Sequence, residues 1–240
     1  MPRTAADVNA RLLEAFAAIG SALGHPQRIK LLTLLDQGPK TVEHLAGQTE
    51  QSVASASAHL KVLRTACLVS ATRRGKYIVY RLAAPQVADL LAALKTLGAR
   101  QLPAAREAVQ SYFADAAEAA TYGPRALLAA ARAGEVTLLD VRPPDEFAAG
   151  HLPLARCLPA GELGRGMRDL PRDKPIIVCC RGPYCVTAVE AVRKLRSAGF
   201  DARRCDLGVT EWRAAGLHLE HPTEPAGDSV AAPAPERSHV

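Results

Sequence analysis

Residues 178–186 read VCCRGPYCV, which places three of the chain's six cysteines, Cys179, Cys180 and Cys185, within seven residues. Thiols at such spacing serve three kinds of chemistry: metal ligation, a disulfide, or a reactive thiolate held in a loop. A structural zinc site needs two closely spaced ligand pairs, and no second Cys or His pair complements Cys180 and Cys185. A vicinal Cys179–Cys180 disulfide is strained, and strand alternation directs the two side chains to opposite faces. The third kind fits the local pattern: an apolar strand "PIIVC", a short Gly/Pro loop, and a helix beginning near Val186. A cysteine at that strand edge faces backbone N–H groups and a helix N-terminus. Both lower a thiol pKa and cradle an anion.

Positioning such a loop requires an α/β layer. From about residue 124, short apolar strands ("VTLLDV", "PIIVC", "ARRCDL") alternate with helical stretches, notably 186–198 closed by Gly199. That alternation predicts a mainly parallel sheet covered by helices. The first hundred residues read differently. Leu12, Leu13, Phe16, Ile19 and Leu23 recur at helical spacing, Pro26 opens a second helix that ends at Gly38, and Thr41 caps a short third. Ser52 caps a fourth helix, on which Val53, Ala56, Leu60 and Leu63 form the inward face. Two strand-like runs around Arg73-Arg74-Gly75-Lys76 predict a hairpin. A helix over about 85–101 follows, Pro103 breaks it, and a further helix runs to about 120. Beyond His221 the sequence offers almost nothing to bury, and 222–240 is expected to be a disordered tail.

Charge divides along the same line. Residues 1–84 carry 11 Lys/Arg against 5 Asp/Glu, whereas residues 85–240 carry 19 of each. The whole net charge of +6 thus lies in the first third, the balance of a domain that meets a polyanion. No apolar run reaches the roughly 18 residues of a membrane span. The first ten residues lack the apolar core of a signal peptide, so a cytoplasmic protein with reduced thiols is expected.

Three short helices, a capped fourth and a basic-tipped hairpin make a winged helix-turn-helix. Ser52, Ser55, Ser57, His59 and Lys61 of the fourth helix are placed for a major groove, and Arg73, Arg74 and Lys76 for phosphates or a minor groove. With "LGHPQRIKLLTLL", "SAHLKVL" and "RRGKYIVYRL", residues 12–95 resemble the ArsR/SmtB family of bacterial repressors. The resemblance implies a homodimer joined through its terminal helices that binds an operator duplex and releases it when modified. Two departures argue against metal sensing: "KTVEHLAG" lacks cysteines, and Asp89 has no histidine neighbours. His44 and His59 are read as a cap-proximal and a DNA-facing residue, and Cys67 as a small packed one.

The second half resembles the rhodanese family of sulfurtransferases, through "LLDVRPPDEFAAGHLPLA" (138–155), the loop "CRGPYC" (180–185) and "LGVTEWRAAGL" (207–217). The resemblance implies that Cys180 is the nucleophile that takes sulfane sulfur as a persulfide. It makes Arg181, Gly182, Pro183, Tyr184 and Cys185 the substrate-binding loop, with Asp140 and Arg142 in support. Cys185 stands where a polar residue is common, and adds a possible resolving thiol. Cys157, Cys179 and Cys205 are expected to be packed.

The expected fold class is therefore two-domain, a mainly α winged helix-turn-helix followed by an α/β rhodanese-like domain with a parallel sheet. The expected boundaries are 1–101, a helical linker at 102–123, 124–221, and the tail. The expected function is a sulfur-responsive DNA-binding regulator with no cofactor and no metal. Its expected partners are an operator duplex and a sulfane sulfur donor such as thiosulfate or polysulfide. Two alternatives stand beside it: a sulfurtransferase whose winged helix serves dimerisation, and an arsenite- or metal-responsive repressor.

Overall fold

The computed structural model describes residues 4–113 and 119–222; the remainder of the expected tail lies outside the described residues. The first helix, α1 (Ala5–Leu23), starts at a reciprocal Thr4/Asp7 capping box. Helix α2 (Pro26–Asp36) is capped by His25, whose Nδ1 accepts from the Gln27 amide at 3.1 Å. Strand β1 (Lys40–Thr41) leads into α3 (Val42–Thr49), capped by Thr41, and α4 (Val53–Thr65) follows, capped by Ser52. Strands β2 (Val69–Arg74) and β3 (Tyr77–Leu82) join through Gly75-Lys76. Gly75 adopts φ +60° there, which a two-residue hairpin turn demands. The antiparallel order is β1-β3-β2.

Leu31, Leu32, Leu45, Leu60 and Leu63 are buried at the centre of this half. Val53 departs from expectation. As the first residue of α4 it projects beyond the packed turns and is 47% exposed. Cys67 departs too: it is exposed, with φ +57°, a backbone state that favours glycine. Helices α5 (Pro85–Gln101) and α6 (Pro103–Phe113) complete the half.

Strand β4 (Ala119–Ala120) already belongs to the second sheet, so the helix expected to reach about 120 does not. Then come α7 (Pro124–Arg132), β5 (Thr137–Asp140), α8 (Pro144–Ala149), β6 (Arg156–Cys157) and α9 (Leu163–Gly166). The chain continues through β7 (Ile176–Cys179), α10 (Val186–Ser197), β8 (Ala202–Cys205) and α11 (Val209–Ala214). The five strands lie parallel in the order β4-β8-β7-β5-β6. One sheet face packs on α10 through Val178, Ala188 and Val192; the other packs on Leu127, Val209 and the fully buried Trp212. Among the described residues no helix is long and apolar enough to cross a membrane.

The two halves meet along two seams. In the first, Arg142 grips Asp140 through Nε and Nη2 and donates from Nη1 to Gln37 Oε1 at 3.0 Å. Asp36 takes Arg213 at 2.7 Å and the Thr210 hydroxyl. In the second, the Phe113 ring of α6 meets Tyr184 edge-on at 6.5 Å, and Tyr112 reaches Glu190 of α10 at 3.3 Å.

Candidate functional site

The loop 180–185 leaves the C-terminal end of β7 and enters α10 at Cys185, the helix N-cap. The order of residues explains its shape. Gly182 takes φ +107°, which L side chains rarely adopt. Gly208, just before α11, lies so close that a Cβ on it would fall 2.7 Å from the Gly182 nitrogen. The closing "LGVTEW" segment therefore braces the loop: Glu211 Oε2 accepts from the Gly208 amide at 2.8 Å and faces Gly182. Arg204 holds the other side, donating to the Pro183 carbonyl at 2.7 Å.

The sulfurs of Cys180 and Cys185 stand 2.8 Å apart. Cys180 is buried among the residues facing α10, while Cys179 packs on the opposite sheet face near Cys205 and Trp212. Cys157 is half-buried.

The expected low pKa falls on the other thiol. Cys185 is drawn down to about 5, first by hydrogen bonding with Cys180 and then by the amides of Arg181 and Ala188 and the Arg181 charge. Cys180 is pushed well above the ordinary thiol value, first by the same hydrogen bond and then by burial. Two thiols in contact keep one proton between them. It rests on the more buried sulfur, because desolvation disfavours charge there.

The Arg181 guanidinium binds Glu146 through two 2.8 Å bonds. Glu146 is fully buried on α8 and lies 3.5 Å from Lys40, itself buried and 2.7 Å from Asp145. The Arg181 pKa is raised: burial opposes its charge, but the Glu146 hydrogen bonds and charge more than offset this. Asp140 and Arg142 form a fully buried pair whose remaining donors go to Gln37 and the Gly150 carbonyl. They brace the loop's neighbourhood and the domain seam.

On the other half, Ser52, Ser57 and Lys61 are exposed along α4, and Arg73, Arg74 and Lys76 at the hairpin tip. Ser55 is tied to Gln51 at 3.0 Å, and the His59 ring lies 4.5 Å from His25, so both face the protein more than Ser52, Ser57 and Lys61 do. His59 has a lowered pKa, through desolvation first and then its cationic neighbours.

These two constellations define a DNA-binding fold carrying a rhodanese-type loop. A family model of the bacterial regulatory proteins of the arsR family matches residues 25–71, and one of the rhodanese-like domain matches residues 124–215. The chain belongs to the ArsR family of DNA-binding regulators, in a form fused to a rhodanese-like domain. It is similar to the HTH-type transcriptional regulator Rv0324 of Mycobacterium tuberculosis, 40% identical over 89% of this chain and 94% of that one. Thiosulfate sulfurtransferase GlpE of Pseudoalteromonas translucida is 32% identical over 34% of this chain and 76% of that one. Among solved structures, the homodimeric winged helix-turn-helix domain Mb0332 of Mycobacterium bovis is 36% identical. It covers 42% of this chain and 94% of that one at a TM-score of 0.40.

Sequence reasoning missed Lys40, Gln37 and Glu146. Glu146 lay inside a quoted motif, but its partner Lys40 comes from a domain more than a hundred residues earlier. The one available signal was a lysine directly before the cap of a short helix.

Proposed function

We propose that this protein is a sulfane-sulfur-responsive transcriptional repressor of the cytoplasm. Its rhodanese-like half takes sulfur onto Cys180 as a persulfide, and its winged helix alters its hold on an operator in response. The observation that carries this reading is the run of contacts from thiol pair to DNA-binding half. Arg181 of the loop binds Glu146, Glu146 faces Lys40, and Lys40 opens the strand paired to β3 of the wing.

With thiosulfate as donor, the net step begins from Cys180–SH beside a Cys185 thiolate. The outer sulfur of thiosulfate bonds to Cys180, its S–S bond breaks, sulfite leaves, and the Cys180 proton passes across 2.8 Å to Cys185. The relative named a thiosulfate sulfurtransferase supports that donor class. Cys185 then passes this proton to the outer sulfur, attacks the inner sulfur of the Cys180 persulfide, expels hydrosulfide and closes a disulfide. Either product changes the charge and spacing of the loop to which Arg181 belongs.

The winged helix supports DNA binding through the basic hairpin tip and the exposed face of α4. Leu12, Leu13 and Phe16 of α1, with Leu97 of α5, are large apolar side chains left exposed. Large apolar side chains left exposed on these helices support a homodimer joined through the terminal helices. The arsenite reading loses ground because Cys179, the third thiolate it would need, faces the other side of the sheet.

Incubation with thiosulfate or polysulfide followed by intact mass measurement tests the chemistry. One added sulfur atom, or the loss of two hydrogens where Cys185 has closed the disulfide, is expected in wild type and in Cys67→Ser. An adduct that persists in Cys180→Ser would overturn the assignment.

A further inference from the structure

Between the two seams of contact lies a cavity of about 940 Å³, the size of a small-molecule site. One wall is supplied by α2, α5 and α6 of the DNA-binding half, and the other by the thiol loop and the start of α10. Its lining is largely apolar, with Leu34, Leu91, Val109, Phe113 and Val186 among the side chains. Cys185 lines it; Cys180, 3% exposed, does not. Any donor that reaches the thiol pair by this route therefore touches DNA-binding helices at the same time.

The charges in the wall are unevenly satisfied. Asp36 is held by Arg213 and Thr210, Glu211 by the Gly208 amide, and Arg181 by Glu146. Lys95 makes no hydrogen bond or ion pair among the described residues, although it is partly buried and lines the cavity. Its pKa is lowered by desolvation, against the distant pull of Asp36, Glu211 and Cys185. A partly desolvated cation without a partner favours an anion beside it. An inorganic ion would satisfy that charge but leave most of the apolar wall uncovered.

We propose that this interdomain cavity is the binding site of an organic persulfide anion. Its apolar body would lie against α5 and α6, and its charged sulfane sulfur between Lys95 and the Cys180–Cys185 pair. The inference deepens the Cys180 reading by naming the donor class, and it rests on that reading for the transfer step. The step is R–S–S⁻ with Cys180–SH and the Cys185 thiolate giving Cys180–S–S⁻, Cys185–SH and R–S⁻. The donor's S–S bond breaks as the new one forms, and the Cys180 proton goes to Cys185. The DNA-binding half thus forms part of the donor site.

Two measurements on the full chain test this. The first is calorimetric titration with 4-phenylbutyrate, an unreactive anion with an apolar body. Wild type and Cys180→Ser should bind it alike. Ala92→Phe, which narrows the cavity, and Lys95→Met, which removes the charge, should each bind at least about tenfold more weakly. The second is sulfur loading from benzyl persulfide against inorganic tetrasulfide. Ala92→Phe should slow loading from the organic donor by at least about tenfold and from tetrasulfide by less than about twofold. Unchanged probe affinity in both variants would overturn the site while leaving the Cys180 reading in place. Tight probe binding without loading from any donor would overturn the Cys180 reading, and the named donor class with it. Probe affinity that falls as protein concentration rises would assign the cavity to a second copy of the chain, and also overturn the proposal.

Discussion

Lys40 Nζ and Glu146 Oε1 stand 3.5 Å apart with both side chains withdrawn from solvent, one on the winged-helix sheet and the other on α8. Glu146 also carries both bonds from Arg181, so a single carboxylate lies between the thiol loop and the DNA-binding half. Removing one member of a buried charge set leaves its partner uncompensated, which typically costs about 3–5 kcal/mol. Glu146→Gln, which leaves the Arg181 guanidinium without its carboxylate, should therefore lower unfolding stability by about that amount, measured by denaturant titration. Asp145, with its side chain 43% exposed, is screened by solvent, and Asp145→Asn should cost only about 0–1 kcal/mol. Equal losses in the two variants would contradict the geometry.

The thiol pair makes a pH prediction whose sign follows from the shift. Cys185 is drawn down from the ordinary thiol value to about 5, so its thiolate survives as pH falls from neutral and is lost on passing through about 5. The ultraviolet absorbance of thiolate in wild type should titrate with that low midpoint. It should lose the low-pH component in Cys185→Ser, and also in Cys180→Ser, because the Cys180 contact is the largest cause of the shift. A low midpoint that persists in Cys180→Ser would place its origin in the loop amides instead.

At the wing, Arg73 and Arg74 are exposed beside Lys76. Changing both arginines to Ala should weaken binding to all duplex sequences and reduce the salt slope by roughly one unit per lost phosphate contact. Unchanged affinity at fixed salt would remove the wing from the DNA interface.

Gln37 offers a milder test of the seam. Its Oε1 takes one guanidinium donor of the fully buried Arg142. Gln37→Leu leaves that donor unsatisfied at a cost of about 1–3 kcal/mol. The loss should appear as easier proteolytic separation of the two halves before either unfolds.

What the sequence made legible was local. Ser52 as a cap, Pro26 as a helix start, Gly75 in a hairpin and the strand–loop–helix around Cys180 each depend on neighbours in the chain, and each is found in place. Strands β4 and β6, two residues each, are too short to carry a period. Val53 has the right spacing for the inner face of α4 but stands at its first turn, where nothing packs over it. Cys67 has the chemistry of a packed residue but occupies a left-handed turn at the surface. The division of charge between Cys180 and Cys185 depends on a 2.8 Å contact set by the fold of the loop. The Arg142–Gln37 bond joins residues 105 positions apart, and no spacing rule reaches that far.

Operator affinity before and after polysulfide treatment tests the central claim most directly. Wild type should shift by roughly 5- to 150-fold, the range of about 1–3 kcal/mol of coupling. Cys180→Ser should remain at its untreated affinity, whereas Cys185→Ser, which stops at the persulfide, should shift by less than the wild type. Equal affinity in the wild type before and after treatment, with sulfur loading confirmed by mass, would mean that the two domains are tethered without being coupled.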